Sequence, residues 1–170
     1  MTSTKVDQGD FNFSTRPTIL PSKKASANWD MFCRHATAEW SGDIDATMDT
    51  MVKSSPFQIF HATGFEVRGA EAVRAFYIER METFKGQGFY AKQLIVTDDA
   101  LVGRGWFKGV PNGRFFGVMT HGKPLFLPLT LWIYFDEQSL IKGEAAYFDG
   151  KELMRQIESG QDGDISMRLD

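Results

Sequence analysis

One cysteine, three histidines and no surplus of basic residues set the first limits on this 170-residue chain. A lone Cys33 rules out an internal disulfide framework and fits a reducing compartment. Histidines scattered at 35, 61 and 121 offer no ligand spacing, so no metal is expected. A net charge of −3 leaves no electrostatic footprint for nucleic acid. No apolar run approaches the roughly 18–20 residues that cross a bilayer, so no membrane association is expected. The opening MTSTKVDQGD lacks a basic start followed by an apolar stretch. The expectation is therefore no secretory signal and a cytoplasmic location. No glycine-rich loop follows a strand and opens a helix; the glycines between 103 and 117 fall among strands. Neither a nucleotide nor any other cofactor is expected.

Aromatic residues, by contrast, are plentiful. Fifteen phenylalanines and four tryptophans in one domain-sized chain suit a large core or an aromatic-lined cavity. Residues 1–27 are polar, carry Pro17 and Pro21, and read as a flexible arm, partly docked through Phe11, Phe13 and Ile19. From Asn28, the residues Trp29, Phe32, Cys33, Ala36 and Trp40 recur at helical spacing. Gly42 ends that helix and Asp43 caps a second, short one. A short strand, 57–62, precedes a turn over 64–69. A third helix carries Val73, Phe76, Tyr77 and Met81 on one face, and Gly86 and Gly88 stop it.

Strands follow at 89–96 and 101–108, then an irregular, glycine-rich stretch over 109–123. Two long strands, 125–135 and 141–148, and a helix near 150–158 complete a pocket domain over 28–158. Residues 159–170 read as a polar tail. Helices followed by strands mean an α+β fold: a cone-shaped half-barrel, its curved antiparallel sheet wrapped around an apolar pocket, with three N-terminal helices and a short C-terminal one. The strand LFLPLTLWIYF is apolar on both faces, so both must be covered. One faces the pocket; the other is expected to meet a second copy in a homodimer, or else the N-terminal arm.

The element order, the helix start GAEAVRAFY (69–77), the loop GVPNGRFFGVMTHGK (109–123) and the ending KGEAAYFDGKELMRQI (142–157) resemble the nuclear-transport-factor-2-like superfamily. Within it they are most similar to SnoaL-like polyketide cyclases and limonene-epoxide-hydrolase relatives. The resemblance implies a deep apolar cavity and a homodimer, with cyclases, isomerases, dehydratases, hydrolases and non-catalytic members among the relatives. It also implies an aspartate–arginine–aspartate set in the hydrolases. Here Arg104 matches the arginine, but Trp106 and Ala146 stand where the aspartates would be. Epoxide-hydrolase chemistry is therefore not expected, and the usual cyclase acid is also missing.

Strand parity names replacements. If the Ala146 position faces the cavity, Glu144 and Phe148 do too. Arg104 and Trp106 share a face of their own strand. His61 falls where the hydrolases hold a water-orienting side chain. The expected catalytic set is His61 as acid/base, Arg104 as electrostatic stabiliser and Glu144 as its tuning partner, with Trp40, Trp106 and Phe148 lining the substrate site. Plainer readings stand beside these: a solvated Glu144 at the cone mouth, a structural Arg104–Glu144 pair, a His61 that caps backbone. His35, at the edge of the first helix's stripe, reads as structural, with a place in the pocket lining as its less favoured alternative, and Asp149 reads as the cap of the last helix. The expected function is a cofactor-independent acid/base enzyme on a small apolar, cyclic molecule. The alternative is a non-catalytic binding or dimerisation protein that lost the catalytic aspartates.

Overall fold

The computed structural model describes residues 16–115 and 118–159. In chain order the elements are β1 (Thr18–Ile19), α1 (Lys23–Ser41), α2 (Ile44–Asp49), β2 (Phe57–Phe60), β3 (Phe65–Arg68), α3 (Ala70–Thr83) and β4 (Phe84–Val96). Then follow β5 (Ala100–Pro111), β6 (Arg114–Phe115), β7 (Val118–Met119), β8 (Leu125–Phe135), β9 (Ile141–Phe148) and α4 (Gly150–Ser159). The long strands β4, β5, β8 and β9 form an antiparallel meander, and the full sheet runs β1-β4-β5-β8-β9-β2-β3. Helices α1 to α3 close one side and α4 packs against β8. This is the expected α+β cone, with one correction: the sheet is mixed. Strand β2 runs parallel to β9, and β1 parallel to β4. Parallel pairing requires a long connection, and the helices and meander between those strands supply it.

Local chemistry explains where the elements differ from expectation. Helix α1 starts five residues before Asn28, because the Ser22 hydroxyl accepts from the Ala25 amide and caps it. Asn28 is buried mid-helix, its amide donating to the carbonyls of Thr97 and Asp98. Phe11 and Phe13 lie outside the described residues; Ile19 does pack against the core, from β1. The stretch 64–69 holds strand β3, in which Phe65 and Val67 alternate with exposed Glu66 and Arg68. Gly86 and Gly88 bulge β4 rather than end a helix, since α3 already stops at Thr83. Asp149 does cap α4, accepting from the amides of Lys151 and Glu152.

The inner face of β5 is mostly glycine, and register shows why. Gly103, Gly105 and Phe107 sit opposite Leu131, Leu129 and Leu127 of β8. On the other side a bulge between Ala91 and Gln93 brings the β4 backbone close. A Cβ on Gly105 would lie 2.1 Å from the Tyr90 carbonyl oxygen, so only glycine fits there. A hollow lies between the sheet and the helices.

Candidate active site

That hollow is a cavity of about 120 Å³ lined by eight phenylalanines, five leucines and a small set of polar side chains. Its polar groups gather on α1, α3, β2 and β9. His35 and Glu39 stand four residues apart on α1, on the buried face beside Phe32 and Ala36. Tyr77 and Arg80 stand three apart on α3, facing them. Gln58 on β2 and Glu144 on β9 are register partners, so both side chains leave the same face of the sheet.

The hydrogen bonds converge on His35, which is 1% exposed. The Thr50 hydroxyl donates to the Thr47 carbonyl at 2.6 Å, so its one proton is committed. His35 Nδ1, 2.6 Å from that hydroxyl oxygen, must therefore be the donor. This orientation leaves Nε2 pointing at two carboxylates, 3.2 Å from Glu39 Oε2 and 3.2 Å from Glu144 Oε1. The Tyr77 hydroxyl oxygen also lies 3.2 Å from Nε2, and the two carboxylates favour a second proton there. Burial alone would push the His35 pKa down, but hydrogen bonds and charge from Glu144 and Glu39 lift it to about 9. The imidazole is thus an imidazolium at neutral pH.

Arg80 completes the set through an ion pair with Glu39. Burial pushes the Glu39 carboxyl up, yet the Arg80 guanidinium and His35 overcome this and hold it down at about 2. Gln58 Nε2 donates to Glu144 Oε2 at 3.1 Å and to the Tyr77 hydroxyl at 2.8 Å. Burial and the Glu144 and Glu39 charges keep the Tyr77 phenol well above its ordinary pKa, so it stays neutral. The cluster therefore holds two cations, His35 and Arg80, and two anions, Glu39 and Glu144. One atom each from His35, Glu39 and Glu144 lie within 4.8 Å of one another, a spacing that a cation could bridge. The Arg80 guanidinium, already paired with Glu39, competes with a metal for that carboxylate.

The six residues expected from the sequence divide evenly. Glu144, Trp40 and Phe148 line the cavity. His61, Arg104 and Trp106 do not. Thr130 pairs with Arg104 on one side and Tyr147 on the other, so these three occupy the face opposite Glu144. Arg104 is exposed and donates from Nε to Gln93 at 3.1 Å. Trp106 stacks on Phe126, with ring centroids 5.2 Å apart, on that outer face. His61 follows the inward Phe60 by one residue, so it turns outward and stacks on Tyr147 at 4.3 Å. Parity within each strand was right; the face assigned to β5 was reversed.

His35, Glu39, Tyr77, Arg80 and Gln58 were not singled out as site residues. A signal for the first pair did exist: a histidine and a glutamate at helical spacing, one turn apart, inside an apolar stripe. Charged residues at core positions of that kind are rarely buried unless paired.

No protein-family model and no curated protein matches the chain. Solved structures do. A protein named a SnoaL-like polyketide cyclase from Jannaschia sp. CCS1 superposes with a TM-score of 0.71 at 21% identity, covering 81% of this chain and 96% of that one. Another so named, from Shewanella denitrificans OS-217, gives 0.68 at 14% identity over 79% and 98%. An NTF2-like protein from Burkholderia xenovorans LB400 gives 0.63 at 13% identity over 78% and 96%. The chain has the nuclear-transport-factor-2-like fold of these proteins. Among the described residues, no helix is long and apolar enough to cross a membrane.

Proposed function

We propose that the protein is a cofactor-independent acid/base enzyme acting on an apolar, cyclic small molecule. One observation carries the reading: a closed cluster of imidazolium, guanidinium and two carboxylates stands at the wall of a cavity otherwise lined by phenylalanine and leucine. Few placed polar groups in an apolar hollow are what a small-molecule site requires. Glu144 is the proton acceptor, because its partners are Gln58, the neutral Tyr77 hydroxyl and a shared imidazolium proton, whereas Glu39 is held by Arg80. When Glu144 takes a proton from a substrate carbon, the cluster loses one negative charge and becomes net positive. The substrate becomes an enolate of opposite sign. His35 and Arg80 then stabilise charge that exists only once the proton has moved, as catalysis demands.

Isomerisation, dehydration and cyclisation all share this step. With a substrate identified by native mass spectrometry of co-purified ligand, Glu144→Gln is expected to lower kcat about 10²–10⁴-fold. A variant within threefold of wild type would remove the assignment. The second reading, a binding protein without catalysis, is favoured by the cluster's internal closure, since every charge already has a partner.

The outer face of the sheet supports a homodimer. Trp132 and Tyr134 stack there with centroids 6.1 Å apart, and Tyr147 is 43% exposed. An aromatic face of this kind fits a second copy through a two-fold contact. Sedimentation equilibrium is expected to give a dimer that Tyr147→Glu weakens; a monomer at micromolar concentration would count against it.

A further inference from the structure

The charge balance of the cluster says more than where a proton goes. His35 and Arg80 are matched one for one by Glu39 and Glu144, and the rest of the cavity wall is hydrocarbon. An anionic ligand entering this space would face two carboxylates and find both cations already engaged. A cationic ligand would meet two carboxylates already neutralised. Either would leave one uncompensated charge in an apolar hollow, which is costly. Size adds a limit: about 120 Å³ is of the order of a cavity that admits benzene.

We propose that the cavity selects an uncharged ligand of single-ring size, and that the balanced four-charge cluster enforces this choice. The proposal deepens the acid/base reading of the same site by naming its substrate class: a small, uncharged, single-ring molecule.

Three probes of nearly equal size separate the charge rule from the rest: acetophenone, benzoate and benzylammonium, titrated calorimetrically into the whole chain at pH 7. Acetophenone is expected to bind at least tenfold more tightly than either ion. Glu144→Gln, which leaves the cluster net positive, is expected to raise benzoate affinity at least tenfold. Should that variant fail to fold, Glu39→Gln makes the same charge change. The proposal is overturned if either ion binds wild type within tenfold of acetophenone, if acetophenone does not bind at its solubility limit, or if the charge-altered variant leaves benzoate affinity unchanged. Exchange of the acetophenone methyl hydrogens in D₂O tests the catalytic reading separately. Binding that follows the charge rule without catalysed exchange would sink the enzyme and leave the selectivity intact.

Discussion

Arg80→Met is expected to lower the unfolding free energy by about 3–5 kcal/mol, the cost of leaving one partner of a buried ion pair without the other. The guanidinium lies between Glu39 and the ring faces of Phe76 and Tyr77, with its carbon 5.2 Å from the Tyr77 centroid. Glu39 is 7% exposed and cannot recover water when Arg80 goes. Urea unfolding would show the effect as a lower midpoint at unchanged slope. Adding Glu39→Gln to Arg80→Met is expected to cost less than the two single changes together, with a coupling on the order of 1–3 kcal/mol. A single-variant loss below about 1 kcal/mol, as for an exposed pair, would mean the bridge is solvated and the cluster open. Arg68–Glu66 and Lys53–Asp49 are such exposed pairs and serve as controls.

Stability is also expected to fall as pH rises from about 6.5 to 9. The unfolded chain releases the His35 proton near its ordinary value of 6.5, whereas the folded protein holds it to about 9. Across that window the folded state binds the extra proton, so raising the pH favours unfolding. The contribution is fully present below 6.5 and gone above 9, and amounts to on the order of 3 kcal/mol at 1.36 kcal/mol per unit. His35→Gln is expected to flatten this slope, as read from urea midpoints taken at intervals between pH 6 and 9.5. A slope unchanged by the substitution would show that His35 is neutral in the fold. The acid side has the opposite sense. Glu39, held at about 2, contributes stability above about 4.5 that is lost as pH falls through 2.

Periodicity made most of the fold readable. Helical spacing located α1 and α3, and the apolar runs 125–135 and 141–148 became β8 and β9 with those bounds. Turn chemistry placed Asp43 and Asp149 as caps. These features depend on residues near one another in the chain, where local sterics and hydrogen bonding act. Missed boundaries had local causes too, such as a cap at Ser22 hidden behind Pro21 and a polar Asn28 that is buried instead of terminal.

The site divides along the same line. Strand β9 displays Glu144, Ala146 and Phe148 on one face by parity, and residue order alone carries that. Which face of β5 turns inward depends on its register against β8, and register is a relation between strands about 25 residues apart. That choice sent Arg104 and Trp106 outward and brought glycines in. Likewise, nothing adjacent to His35 announces that Glu144 will arrive 3.2 Å away, or that Arg80 will pair with its neighbour Glu39. Periodic hydrophobicity is written along the chain, because each element must hide its own apolar side. Charge pairing across α1, α3 and β9 is a property of how those elements close on one another, and it exists nowhere until they do.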